Sequence, residues 1–377
     1  MPFKSLGLSK SLLTKLSELN YTDAYPIQKE AIPAVISGKD VLGIAKTGSG
    51  KTLSYVLPVL EKLRNGSKTK NRHADVLVLV PTRELAVQVQ EVFHEFGQFL
   101  TGQIKSVAVY GGVSINPQMM ALQNANIVVA TPGRLIELVE NNAVHLSSIS
   151  TLVLDEADKM LNLGFKEEMS IIFSLLPEQR QNLLFSATLS EGVEGINDIL
   201  LDEPVVVKIE SGEDDINLIK QLGYFVDESK KGPLLRYLIK TNNLQQVLVF
   251  ASSVYKADNI ADKLRKHNIE AQAIHSKKSQ TARLAVLKDF KNGDLRVLVA
   301  TDLLSRGIDI EFLPCVINYE LPRSPKDYIH RIGRTGRAES PGDAITFVAP
   351  DDKHHFRVIQ KKMKKWVDMI DSNNLDF

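Results

Sequence analysis

The sequence holds one cysteine, Cys315, so no disulfide can close within the chain. Cys315 sits in an apolar run and reads as a buried structural thiol, which suits a reducing, cytoplasmic setting. No apolar run approaches the roughly 20 residues that cross a bilayer, so no membrane partner is expected. Met1 to Lys10 has no long apolar stretch behind a basic start, so a secretory signal is not expected either. An excess of one charge is missing too: 46 Lys and Arg face 45 Asp and Glu, for a net charge of +1. A neutral total neither demands nor excludes nucleic acid, because a local basic groove can sit inside it.

What is present is enough for two cores. A chain of 377 residues, 44% of them hydrophobic, is long for one compact domain. The stretch Ala45-Lys46-Thr47-Gly48-Ser49-Gly50-Lys51-Thr52 follows an apolar run, Val41 to Ile44, and precedes an apolar segment, Leu53 to Leu63. That order is strand, glycine-rich turn, helix. Gly48 and Gly50 permit backbone conformations that a side chain would resist. The turn can then aim successive N–H groups at a phosphate chain, with the positive end of the helix behind them. Lys51 supplies an ammonium for the terminal phosphates and Thr52 a hydroxyl for Mg²⁺. Only the first glycine of the usual spacing is missing, replaced by Ala45. An ordinary glycine turn is the competing reading, and the strand–turn–helix context weighs against it.

Residues 1–37 read as helical, with Pro26 and Pro33 breaking them into short pieces. Short apolar runs then alternate with helical segments: Val76 to Val80, Ile127 to Ala130, Leu152 to Leu154 and Leu183 to Phe185. Such runs indicate a parallel sheet covered on both faces. Residues 209–217 are polar and without period, and read as a linker. The alternation resumes with Val247 to Phe250, Ala271 to Ile274, Val297 to Ala300, Val316-Ile317 and Ala344 to Val348. The expected organisation is α/β, with a first domain over residues 1–208, a second over 218–350, and a short tail over 351–377. The second has no phosphate loop of its own.

Polar clusters follow these strands, and in open α/β sheets ligands bind at the carboxyl edge. Asp155 and Glu156 end one strand. An Asp there is the usual Mg²⁺ partner beside a phosphate loop, and the adjacent Glu can orient or deprotonate an attacking water. Two solvated acids capping a helix are the alternative. Further on, His330-Arg331-Ile332-Gly333-Arg334-Thr335-Gly336-Arg337 is dense in arginine. A guanidinium on a γ-phosphate stabilises charge during transfer and contributes roughly 10³–10⁵ in rate. A solvated basic loop or plain RNA backbone contacts compete with that reading. If these arginines lie in the second domain, hydrolysis requires the two domains to close, with ATP as the switch. Arg83, Gly111, Gly112, Thr131, Gly133 and Arg134 form a set in the first half, and His275, Gln280, Arg283, Thr301 and Arg306 one in the second. Hydroxyls, glycines and arginines suit a sugar–phosphate backbone, and no base-reading helix stands out, so the expected binding is independent of sequence. Tyr21 and Gln28 precede the phosphate loop; a ring can stack on adenine and an amide can read its edge. A packing Tyr and a surface Gln would be the plain alternatives.

Together these residues resemble the DEAD-box family of ATP-dependent RNA helicases, over nearly the whole chain. Asp155-Glu156-Ala157-Asp158 is the family's eponymous tetrapeptide, and its other motifs occur in order. The resemblance implies two tandem RecA-like parallel-sheet domains, with ATP and Mg²⁺ as cofactors and RNA as partner, single-stranded or duplex. It assigns adenine to Tyr21 and Gln28, with Phe3 as an upstream aromatic. Thr47, Gly48, Ser49, Gly50, Lys51 and Thr52 would hold phosphate, with Thr52 and Asp155 on Mg²⁺. Glu156 would activate water. Asp158, Ser186, Thr188 and His330 would couple hydrolysis to RNA, Asp309 would touch the ribose, and Arg334 and Arg337 would be the fingers. Asn20 stands where glycine is usual, and Ala24-Tyr25 where Pro-Thr is usual. Ser305 replaces a common alanine. The tail resembles that of bacterial RhlE-type members. The implied activity is RNA-stimulated ATP hydrolysis driving local, non-processive unwinding by a monomer. An ATP-gated RNA clamp without unwinding and a DNA helicase are the rival readings; protein partners and the RNA client are not visible in the sequence.

Overall fold

The computed structural model describes residues 2–46, 48–64, 71–100, 104–209, 219–302, 313–336 and 342–377. Thr47, Ser305, Arg306, Asp309, Arg337 and positions 210–217 of the expected linker lie outside the described residues. The chain divides into two compact units, Met1–Ser211 and Gly212–Phe377.

In the first unit the phosphate-loop strand β1 (Val41–Ile44) and helix α3 (Lys51–Leu63) follow two helices, α1 (Lys10–Glu18) and α2 (Pro26–Ile36). Next come β2 (Val76–Leu79), α4 (Arg83–Gly97), β3 (Ser106–Val109), α5 (Asn116–Ala121), β4 (Ile127–Ala130) and α6 (Pro132–Glu140). The unit finishes with β5 (Thr151–Leu154), α7 (Ala157–Asn162), α8 (Lys166–Ser174), β6 (Gln181–Ser186), α9 (Glu191–Leu200) and β7 (Val205–Lys208). The seven strands order as β3-β4-β2-β5-β6-β1-β7, and every pair is parallel. Val76 and Val78 enter one hydrophobic cluster with α1 to α4, while Leu77 and Leu79 enter another with α6 to α9. Alternate side chains of one strand thus feed opposite cores, so the strand carries no polar face.

The second unit contains β8 (Ile219–Phe225), α10 (Lys231–Thr241), β9 (Val247–Ala251), α11 (Val254–Lys266), β10 (Ala271–Ile274) and α12 (Gln280–Asn292). It continues with β11 (Val297–Thr301), β12 (Cys315–Asn318), α13 (Pro325–Ile332), β13 (Gly342–Val348), α14 (Lys353–Met363) and β14 (Asp368–Asp371). Its order, β10-β11-β9-β12-β13-β8-β14, is that of the first sheet with every strand number raised by seven. The two halves therefore share a topology, and loops after equivalent strands occupy equivalent places on each sheet.

Several local expectations are corrected. Pro33 does not break the N-terminal helix: α2 runs through it. Ile27, Ala31, Ile32 and Val35 are buried and α2 packs along α3, so tertiary burial outweighs the one backbone bond proline forfeits. Asn20 has φ 61°, a left-handed backbone that asparagine tolerates better than most residues, which explains how it replaces glycine. Residues 353–371 extend the second unit: β14 pairs in parallel with β8 at the sheet edge. Cys315 is a buried free thiol, its pKa pushed up to about 12 by burial.

Candidate active site

The turn after β1 has the conformation its glycines allow, with φ 76° at Gly48 and 87° at Gly50. A Cβ on Gly50 would lie 2.4 Å from Gln28 Nε2, so the glycine also admits a neighbour. Gln28, buried, donates from Nε2 to Gly50 O (3.1 Å) and accepts at Oε1 from the Tyr25 N–H (2.8 Å). The expected adenine reader therefore braces the phosphate loop from behind. One N–H and one lone pair of its amide stay available by count for a base edge. Tyr21 is 42% exposed, its ring 6.5 Å from that of Phe96, so a face is accessible for stacking. Phe3 is buried in the core and supports this region from below.

Lys51 is buried at the start of α3 and donates from Nζ to Ala45 O (2.5 Å). Burial holds its pKa below the ordinary lysine value, while Asp155 and Glu156 oppose that shift. Ser49 Oγ is buried with no hydrogen-bond partner among the described residues, and Thr52 is half-buried one residue beyond Lys51. Asp155 and Glu156 follow β5. Burial raises the pKa of both; for Asp155 the Lys51 ammonium is the largest opposing influence, for Glu156 it is Lys159. Asp155 Oδ2 accepts from Tyr55 Oη (2.8 Å) and Glu156 Oε1 from Lys159 Nζ (2.5 Å). The other oxygens, Asp155 Oδ1 and Glu156 Oε2, are buried with no hydrogen-bond partner among the described residues. Glu156 has φ 55°, a left-handed backbone costing a non-glycine residue about 1–3 kcal/mol. That strain caps α7 and fixes the carboxylate beside Asp155.

Asp158, on α7, accepts at Oδ2 from Thr188 Oγ1 (2.9 Å). Thr188 is tied back to Ser186, whose Oγ donates to Thr188 O (2.9 Å). The three expected coupling residues of this unit thus form one hydrogen-bonded chain between α7 and the end of β6. Arg83 lies against Gly112, where a Cβ would come within 1.9 Å of its Nη1. Arg134 reaches Glu137 (2.8 Å) and Val113 O (2.8 Å), and Thr131 is buried at the start of α6. Gly111 and Gly133 have open space where a Cβ would be.

In the second unit His275, buried, approaches Asp258 Oδ2 through Nε2 (3.0 Å), and Lys278 holds the other oxygen (3.0 Å). His275 Nδ1 and Gln280 Nε2 are buried without hydrogen-bond partners among the described residues. Gln280 Oε1 accepts from Arg283, and Thr301 is half-buried at the end of β11. His330 is half-buried on α13; Arg334 is buried just beyond that helix, its backbone carbonyl accepting from Leu313 N (3.1 Å).

Two known domain families match the chain: a DEAD/DEAH box helicase domain over residues 25–196 and a helicase conserved C-terminal domain over 230–339. The DEAD-box ATP-dependent RNA helicase CshA of Streptococcus pneumoniae is 43% identical over 97% of this chain and 69% of its own length. CshA of Bacillus subtilis is 37% identical over 99% of this chain and 75% of its own. The chain belongs to the DEAD-box ATP-dependent RNA helicase family. Its tandem RecA-like fold resembles that of Saccharomyces cerevisiae Dbp5 bound to RNA and ADP BeF3, with 29% identity, a TM-score of 0.83, and coverage of 99% of this chain and 96% of that one.

Three features of this helicase escaped sequence reasoning. Tyr55, fully buried on α3, reaches Asp155 across 100 positions of sequence, and its spacing within an apolar helix marks it only as core. Lys159, on the Glu156 carboxylate, sits in the first turn of α7, where a lysine reads as solvated. Arg331 sits amid the expected fingers, yet it is 2% exposed and clamps Asp302 twice (2.6 and 2.8 Å). It also donates to Asn318 Oδ1 (3.1 Å) and Glu320 O (2.6 Å), with its guanidinium 4.8 Å from the Phe250 ring centre. This arginine joins the ends of β11 and β12 to α13.

Proposed function

We propose that this helicase couples RNA-stimulated ATP hydrolysis to local, non-processive opening of short RNA duplexes or remodelling of RNA–protein complexes. The supporting observation is the pair of orphaned carboxylate oxygens, Asp155 Oδ1 and Glu156 Oε2, buried beside Lys51 and the glycine turn. An unpaired buried acceptor costs about 1–3 kcal/mol, and a fold retains two together where a ligand completes them.

The Gly48, Ser49 and Gly50 amides, with Thr47, receive the phosphates of ATP; Lys51 exchanges Ala45 O for a terminal phosphate oxygen. Gln28 and Tyr21 hold the base, and Asp309 the ribose. Thr52 and Asp155 would hold Mg²⁺, which when bound neutralises phosphate charge; the orphan Oδ1 of Asp155 fits that use. Tyr55 holds the other Asp155 oxygen still. Glu156 Oε2 takes the proton of the water that attacks the γ-phosphorus as the bond to the ADP oxygen breaks. A base with a raised pKa takes that proton more readily near neutral pH. Arg334 and Arg337 supply positive charge to the transferring phosphoryl group, a role carried by the arginine-rich sequence. The Asp158–Thr188–Ser186 chain, with His330, passes the state of the nucleotide to the RNA contacts.

For RNA, Arg83 and Arg134 with Gly112 and Thr131, and Arg283, Gln280, Thr301, His275 and Arg306, meet the sugar–phosphate backbone. Gln280 Nε2 is a buried donor suited to phosphate. With Nε2 engaged by Asp258, His275 presents Nδ1 to a ribose 2′-hydroxyl. The buried free thiol supports a cytoplasmic protein.

A strand-displacement assay tests the proposal. With ATP, a short RNA duplex should separate while one several helical turns longer should not. Equal efficiency on both would contradict local opening; ATP-dependent retention of RNA with no displacement would mean a clamp.

A further inference from the structure

We infer that α14 and the turn after it form a second RNA contact, which binds single strands without nucleotide by stacking a base on Trp366. The inference rests on RNA being the substrate and goes beyond the motifs that carry that reading.

Residues 353–366 carry six cations, Lys353, Arg357, Lys361, Lys362, Lys364 and Lys365, and no acid, in a chain whose net charge is only +1. Phe356, Ile359, Gln360 and Met363 are buried, which fixes the helix face turned to the core. Lys353, Arg357 and Lys361 are exposed at four-residue spacing, so they form one row flanking the buried face, with Lys353 Nζ 4.8 Å from the Phe225 ring centre and Lys362 exposed farther round the helix. The only tryptophan of the chain follows at once and is 73% exposed.

The backbone that carries that indole is anchored on both sides. Lys364 turns the chain out of the helix with φ 55°. Gln360 then receives both ends of the turn: its carbonyl accepts from Lys365 N (3.3 Å), its side-chain Oε1 from Val367 N (2.8 Å). Val367 is buried and leads into β14, so Trp366 stands between two anchored neighbours. An exposed aromatic on an anchored backbone beside a row of cations is the arrangement that binds single-stranded nucleic acid, with cations tracking phosphates and a ring taking a base. Charge complementarity selects a polyanion, and the exposed ring selects one that carries bases. The site also has a place in the machine: α14 packs against α13, the helix that bears His330.

The sole tryptophan makes the test direct. A short oligouridylate is titrated into the intact chain without nucleotide while indole emission is read, and RNA-stimulated phosphate release is measured on the same preparation. The inference predicts saturable quenching, weakened by salt. Trp366→Ala should weaken nucleotide-free RNA binding about tenfold, within the range of one base stack, while basal hydrolysis is unchanged. The triple variant Arg357→Gln, Lys361→Gln, Lys362→Gln should flatten the dependence of log affinity on log salt by up to about 0.7 per lost contact. Stimulated phosphate release without quenching would overturn this contact and leave the proposed function standing. Equal quenching by inorganic polyphosphate would overturn the base-stacking claim. A shift of indole emission with phosphatidylserine vesicles but not with RNA would assign the patch to a membrane surface instead.

Discussion

Glu156 combines three conditions on one side chain: a left-handed backbone, a lysine on one carboxylate oxygen, and a buried second oxygen with no partner. Burial raises its pKa above the ordinary value of 4.5. A base must be ionised to work, so hydrolysis should fall as pH drops through that raised value, and the acid limb should lie above 4.5. Phosphate release measured against pH checks this, and a limb at or below the ordinary glutamate value would remove Glu156 as the base. The same logic reaches Tyr55. Tyr55→Phe keeps the packing but leaves Asp155 Oδ2 as a second buried orphan, which should cost about 1–3 kcal/mol in denaturant unfolding. It should also weaken ATP binding more with Mg²⁺ than without it. Unchanged stability and affinity would mean that Asp155 needs no bracing.

At the scale of elements, the Arg331 clamp decides whether the carboxyl ends of β11 and β12 hold together. Arg331→Met retains bulk but removes the guanidinium bonds to Asp302, Asn318 and the Glu320 carbonyl. Breaking a fully buried ion pair costs about 3–5 kcal/mol; Asp302 is partly exposed and water screens the charge left behind, so the loss should be smaller, and thermal melting should show the second unit modestly destabilised. A loss of hydrolysis with no change in melting would instead make Arg331 a phosphate contact. This residue also shows where sequence reading stops. The motif string around it signals arginine chemistry, but which guanidinium turns inward depends on Asp302, 29 positions away. The inner strands were legible because both faces are buried and their residues are continuously apolar. β3 alternates buried and half-buried positions, β7 and β14 are largely exposed, and β8 mixes polar with apolar residues. β8 and β14 give no unbroken apolar run and so escaped; β3 and β7 carry short runs, Val107 to Val109 and Val205 to Val207, that the reading passed over. Lys51, Asp155 and Glu156 were legible as candidates because the chemistry proposed for them needs fixed spacing to a glycine turn or a strand end. Tyr55 has no such spacing to announce it.

On the scale of the molecule, one topology occurs twice, and the two copies differ in what their loops carry. After β5 stand Asp155 and Glu156, with unsatisfied oxygens; after the equivalent β12 stand Tyr319 and Glu320. There Ser252 N donates to Glu320 Oε2 (2.7 Å) and Lys256 occupies Oε1. Burial acts to raise the Glu320 pKa, but these bonds outweigh it and hold the carboxyl below its ordinary range. Equivalent acids thus keep buried unsatisfied oxygens in one half, among the described residues, and are fully bonded in the other. A duplicated sheet with a phosphate loop in only one copy fits an enzyme whose turnover depends on a second ligand. The most direct measurement is phosphate release by the intact chain at saturating ATP and Mg²⁺, with and without single-stranded RNA. The account predicts a marked rise with RNA that Glu156→Gln abolishes, whereas the same rate with and without RNA would contradict it.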